Sequence, residues 1–189
     1  MIDPTSVAFD IDGVVADTMA LFLDIARKEY RVNGIRYEDI TSYLLAECID
    51  MDPALIDVIL NRIMAGEYES PLEAISGSGA VLSRIAGYRS PLLFVTARPH
   101  PGPISKWMCD LVRMAPETVQ VVATGTFEGK AKVLLESGIR FFVEDRLETC
   151  YHLKEVGIEP VLYRQPWNRE QHPFMEVDDW QELENLIAF

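Results

Sequence analysis

Few cysteines, no long apolar run and a shortage of basic residues mark this 189-residue sequence. Cys48, Cys109 and Cys150 are far apart and odd in number. That pattern offers neither a disulfide framework nor a Cys-rich metal site. Isolated cysteines suit a reducing compartment, where they mostly fill space, so a cytoplasmic location is expected. No segment approaches the ~20 consecutive apolar residues of a membrane helix. The N-terminal stretch carries Asp3 and no basic start, so neither a membrane span nor a signal peptide is expected. Lysine and arginine number 17 against 30 aspartates and glutamates, a net charge of −13. That balance argues against a protein that grips duplex nucleic acid by neutralising phosphates. A small phosphorylated substrate stays open, because a bound divalent cation reverses the sign locally.

What is present is an ordinary globular composition, 49% hydrophobic and 25% charged, long enough for one domain with a small insert. Five short runs are apolar on both faces and rich in β-branched or aromatic residues, which predicts buried parallel strands. They are Val7–Asp10, Leu92–Thr96, Val119–Ala123, Phe141–Glu144 and Pro160–Tyr163. Helical periodicity predicts helices over Ser78–Ile85, Ile104–Met114, Lys130–Ser137, Glu148–Val156 and Asp178–Ile187. Gly138 and Gly157 follow two of these where a helix C′ residue belongs. The alternation predicts an α/β fold: a Rossmann-like open parallel sheet with helices on both faces. In such sheets the chemistry gathers at the carboxyl ends of the strands.

About seventy residues separate the first strand from the second, far more than a plain crossover needs. Apolar residues three and four apart predict helices over Asp17–Tyr30, Tyr37–Cys48 and Pro53–Met64. The expected organisation is a core of residues 1–16 and 72–189, with an inserted helical cap over 17–71.

Four signals carry chemistry. Asp10 and Asp12 end the first strand, and residues two apart in an extended chain share a face. Carboxylates at the edge of a core must be paired, hydrated or metal-bound, although Asp12-Gly13 also fits a plain turn. Thr96 ends the second strand and could donate its hydroxyl to a phosphoryl oxygen, or serve simply as a β-branched strand residue. Lys130 and Lys132 open a helix, a position that disfavours cations unless an anion is near; a solvated surface lysine is the alternative. Glu144-Asp145 ends a fully apolar strand, where Asp145 is either a helix N-cap or a ligand for a hard divalent cation.

In this order and at these positions the sequence resembles the haloacid dehalogenase (HAD) superfamily of phosphohydrolases. Its DxDG motif is matched by Asp10-Ile11-Asp12-Gly13, its strand-end threonine by Thr96, its helix-start lysine by Lys130 or Lys132, and its acid pair by Glu144-Asp145. The insert resembles a C1-type cap. Within the superfamily the sequence is most similar to the 5′-nucleotidase and 5′(3′)-deoxyribonucleotidase group, through Asp10–Thr18, Val95–Pro99 and Gln165-Pro166-Trp167-Asn168-Arg169.

The resemblance implies a Mg²⁺-dependent phosphomonoesterase. Asp10 would be the nucleophile and Asp12 the proton carrier, while Thr96 and Lys130 would steady the phosphoryl group. The Asp10 carboxylate, the Asp12 carbonyl and Asp145 would hold Mg²⁺. Substrate contacts would come from Thr96, Ala97, Arg98, Lys130 and Trp167. The acid at position 12 favours phosphate over halide chemistry, because a leaving halide takes no proton. Glu144 stands where an aspartate is common in this group, and its longer side chain is expected to reach past the metal. A nucleoside monophosphate is the expected substrate. A sugar phosphate, phosphoglycolate, or a non-catalytic binding role on the same fold are the alternatives.

Overall fold

The computed structural model describes residues 1–112 and 116–189. Its centre is a six-stranded parallel sheet of β1 (Val7–Phe9), β2 (Leu92–Thr96), β3 (Val119–Ala123), β4 (Phe141–Glu144), β5 (Glu159–Tyr163) and β6 (Met175–Val177), in the order β3-β2-β1-β4-β5-β6. Helices α3 (Ser78–Ala86), α4 (Gly102–Val112), α5 (Gly129–Glu136), α6 (Leu147–Glu155) and α7 (Trp180–Leu186) flank it. The α4 helix matches the expected one, whose last residue, Met114, lies outside the described residues.

Strand alternation divides the core in two. Phe9, Phe94 and Val143 face one side with Val81, Leu82, Met108 and Trp180 of α3, α4 and α7. Ala8, Leu93, Val95 and Phe142 face the other with Ala131 and Leu134 of α5 and Leu153 of α6. Because both faces are covered, the strands read as unbroken apolar runs. The chain winds one way from β1 through β2 to β3, then returns past β1 to β4. The strand order therefore reverses between β1 and β4, and a crevice opens outside their carboxyl ends.

The β1–α3 segment carries α1 (Thr18–Tyr30) and α2 (Pro53–Ala65). Leu21, Phe22 and Ile25 of α1 share a buried cluster with Ile56, Ile59 and Ile63 of α2, and the cluster continues into the main core. Asp17 caps α1 by accepting from Ala20 N, and Asp52 caps α2 by accepting from Ala54 N. Both are favoured N-cap residues. The segment's two ends are pinned side by side: Asp17 N donates to Glu73 O at 2.9 Å and Ile75 N to Val15 O at 2.8 Å.

Two expectations need correction. Tyr37–Cys48 is not one helix but two 3₁₀ turns, Tyr37–Asp39 and Leu45–Glu47. Ser42 Oγ accepts from Leu44 N and donates to Glu47, a local side-chain bond that competes with helix hydrogen bonding. The strand β6 was not expected. It is a three-residue edge strand with only Val177 buried, too short and too polar for a periodic signal. Its pairing with β5 defines it.

Candidate active site

β1 ends as Asp10 N donates to Val143 O of β4, which sets the Asp10 carboxylate at the crevice. One carboxylate oxygen accepts from Ile11 N at 2.7 Å, and the other meets Lys130 Nζ at 2.8 Å. Lys130 reaches in from the first turn of α5 and also meets Glu144 Oε2 at 2.8 Å. The two lysines of that turn part completely. Lys130 is 0% exposed, whereas the Lys132 side chain is 79% exposed beside Glu136. A buried cation at a helix start is explained by the carboxylates around it. Burial alone would lower its pKa, but Asp10 and Glu144 outweigh burial and raise it.

Glu144 is spent on this framework. Its Oε2 holds Lys130, and its Oε1 accepts from Asp145 N and Arg146 N at 3.1 Å each. Asp145 does not cap α6, because Arg146 occupies the N-cap position without a side-chain cap. Its carboxylate instead accepts from Trp167 Nε1 at 3.0 Å.

Carboxylate oxygens of Asp10, Glu144 and Asp145 lie within 4.8 Å of one another, and all three residues are buried. Burial most of all pushes the carboxyls of Asp10 and Asp145 well above the usual range. Repulsion from Glu144 adds to both, and Lys130 pulls both back. One ammonium thus faces three carboxylates, a surplus of buried negative charge that suits a hard divalent cation.

Asp12 has a different environment. Arg98 grips it with both prongs, Nη2 at 2.7 Å from Oδ1 and Nε at 2.9 Å from Oδ2, and Thr18 donates a further hydrogen bond. Burial works against its charge, but Arg98 and Thr18 prevail and hold the pKa below the usual range. Arg98 is itself buried, and its Nη1 donates to Ile63 O near the end of α2. Arg98, expected to touch substrate, lines the cavity and also grips Asp12. At the end of β2 the Thr96 hydroxyl accepts from Arg98 N, which leaves its own hydrogen free to donate.

Gly13 makes the turn expected of it, with φ +75°. Its lack of a side chain matters more. A Cβ there would stand 2.1 Å from Asp145 Oδ2, so only glycine lets the two acidic loops meet. The turn Pro166–Asn168 after β5 closes over this contact. Gln165 Nε2 donates to Gly13 O at 2.6 Å, and Asn168 Nδ2 to Asp145 O at 2.7 Å.

Above the acids lies a cavity of about 250 Å³. Asp10, Asp12, Thr96, Ala97, Arg98 and Asp145 form its floor. Its walls are mostly apolar: Met19, Tyr43, Leu60, Met64, Phe127 and Trp167. Lys130 lies beneath the floor, held by Asp10. Tyr43 and Phe127 meet edge to face at 5.6 Å between ring centres. Neither was singled out as a site residue from the sequence, and no local signal marks them. Thr18 could have been found, because it closes the Asp10–Thr18 stretch. Tyr37, also without an assigned role, donates from its hydroxyl to Gln165 Oε1 at 3.1 Å.

The arrangement offers a buried carboxylate paired with a fixed ammonium, a second carboxylate held by Arg98 and a threonine hydroxyl around one cavity. A search of curated proteins finds no match. Structures that share the fold include a HAD-superfamily hydrolase from Ehrlichia chaffeensis (TM-score 0.57, 13% identity, covering 98% of this chain and 97% of that one). A haloacid dehalogenase-like hydrolase from Streptococcus pneumoniae is similar (0.59, 13%, 96% and 98%). So is CbbY from Rhodobacter sphaeroides in complex with phosphate (0.53, 17%, 94% and 95%). Residues 4–189 match the profile of the family described as 5′ nucleotidase, deoxy (Pyrimidine), cytosolic type C protein. The chain belongs to that family, and with it to the phosphatases of the HAD superfamily.

Proposed function

We propose that the protein hydrolyses nucleoside monophosphates, with Mg²⁺, through an aspartyl-phosphate on Asp10. The observation that carries the chemistry is the pairing of Asp10 with buried Lys130 beside an Asp12 held separately by Arg98. Two carboxylates in such different settings suit two different tasks. Asp10, Asp145 and the Asp12 carbonyl would hold Mg²⁺, with Glu144 kept back by Lys130. Bound there, the ion would neutralise the carboxylate surplus and supply polarisation of the phosphoryl oxygens.

An Asp10 oxygen bonds to phosphorus as the ester P–O bond breaks, and Asp12 gives its proton to the departing oxygen. Asp12 is held ionised in the free protein, and it takes the proton it gives from solvent as the arriving negative phosphate raises its proton affinity. Asp12 then takes a proton from water as that water attacks phosphorus, which frees Asp10 and inorganic phosphate. Thr96 donates to a phosphoryl oxygen, while Lys130 fixes the nucleophile from below.

The cavity walls support the substrate class. Tyr43, Phe127 and the methionines offer flat and adaptable apolar surface, which suits a nucleobase better than the hydroxyls of a sugar. Residues 17–71 act as the cap, in keeping with the pinned ends at Asp17 and Ile75. The family's description as cytosolic supports a cytoplasmic setting. A panel of phosphate esters assayed with Mg²⁺ tests the reading. Nucleoside monophosphates should be turned over with the highest kcat/KM. Equal or better turnover of sugar phosphates or phosphoglycolate would remove the nucleotide assignment, and no turnover of any ester would remove the enzyme assignment.

A further inference from the structure

Trp167 lines the cavity, so stacking on a substrate is its obvious task. Its hydrogen bonding points elsewhere. The indole Nε1 donates to Asp145 Oδ2 at 3.0 Å. That is the oxygen a Cβ at position 13 would strike, so it lies between the bare Gly13 and the indole. The next residue of the same turn, Asn168, donates to the Asp145 carbonyl at 2.7 Å and to Tyr163 O at 2.9 Å. Asn168 is itself fixed, because its Oδ1 accepts from Gln165 N. One short turn therefore holds Asp145 by both its main chain and its side chain.

A carboxylate has two oxygens, and tying one of them sets the direction of the other. With Oδ2 tied, the carboxylate of Asp145 sits within reach of those of Asp10 and Glu144. Outer partners of metal ligands act in this way, fixing a ligand's orientation before the ion arrives. The indole is well suited to the task. It has one donor and no acceptor, so it favours the ionised carboxylate, and its bulk is steadied by Tyr37 at 6.0 Å between ring centres.

We propose that Trp167 is a positioning residue for Mg²⁺, acting through Asp145 rather than through the substrate. The proposal rests on the assignment of Asp145 as a metal ligand. Its test is Mg²⁺ binding to the substrate-free protein by calorimetry, for the wild type, W167F and D145N. Phenylalanine keeps an aromatic ring in the turn, removes the donor and loses part of the indole's bulk. W167F should bind Mg²⁺ about tenfold more weakly, with a matching rise in the Mg²⁺ needed for half-maximal turnover. At saturating Mg²⁺ its substrate KM should stay within about twofold of wild type, the margin that separates positioning from stacking. Unchanged metal affinity in W167F, or a raised KM with metal affinity intact, would overturn the proposal. If D145N binds Mg²⁺ as well as wild type, the ligand assignment itself fails, and the proposal with it.

The unaltered protein supplies a second readout, independent of how W167F folds. Mg²⁺ should shift the indole N–H resonance of Trp167 and leave that of Trp107, bonded to Leu72 O, in place. A Trp167 resonance that ignores Mg²⁺ would overturn the proposal.

Discussion

Replacing Gly13 by alanine separates backbone cost from site geometry. Gly13 has φ +75°, where an L side chain costs about 1–2 kcal/mol. A melting temperature lower by roughly 2–8 °C follows for a chain of this size. The added methyl would also lie 2.1 Å from Asp145 Oδ2, 2.8 Å from its Cγ and 3.1 Å from Trp167 Cζ2. The carboxylate must therefore give way by about 1 Å, a displacement that costs on the order of a hundredfold in rate when it occurs in a catalytic constellation. Gly34 is an internal control: it has φ +93° with nothing within 4 Å of the added Cβ. Melting curves and phosphate release should show both G13A and G34A destabilised, with activity lost only in G13A. Full activity in G13A, or equal loss in both variants, would refute the reasoning.

Other outcomes follow from the same geometry. K130M leaves Asp10 and Glu144 buried without their cation, so it should abolish turnover and cost about 3–5 kcal/mol at neutral pH in denaturant titration; K132M, at an exposed site, should match wild type in both. R98Q removes the two-pronged grip on Asp12 and should lower kcat more than it raises KM, with the acid limb of the pH–rate profile moved upward as Asp12 loses its stabilised charge. The raised carboxyls of Asp10 and Asp145 contribute stability that is lost as pH rises through their folded-state pKa values. Since cation binding requires the ionised forms, the rise in melting temperature given by Mg²⁺ should grow with pH above the ordinary carboxylate range near ~4. A constant rise across that range would contradict the metal assignment. Y37F removes the hydroxyl that holds Gln165 and should weaken Mg²⁺ activation by a few fold at most, a hydrogen bond of this kind being worth about 1 kcal/mol.

Strand ends were legible in the sequence because both faces of this sheet are covered. Each central strand is then an unbroken apolar run, and a charged residue at its end stands out. Asp10, Thr96, Glu144 and Asp145 were found that way, and the helix-start position drew attention to Lys130. What separates Lys130 from Lys132 is helix phase against a partner fourteen residues away, and local pattern left that choice open. Arg98 and Trp167 are expected from the sequence to contact substrate, and both line the cavity. Their bonds to Asp12 and Asp145 span 86 and 22 positions, so the tasks of these side chains emerge only in three dimensions. The same holds for Tyr37, whose partner Gln165 is 128 residues away. In the insert, periodicity located α1 and α2 correctly but failed at Tyr37–Cys48, where the Ser42 side chain redirects the backbone.

The most direct test of the account is the fate of phosphate in D12N with p-nitrophenyl phosphate and Mg²⁺. This ester's leaving group departs without needing a proton, so Asp10 can still be phosphorylated. The water that should release it has lost its base. The account predicts a burst of about one nitrophenolate per protein molecule, slow turnover after it, and an acid-quenched peptide phosphorylated on Asp10. Wild-type turnover in D12N, or a phosphoryl group on any residue other than Asp10, would contradict it.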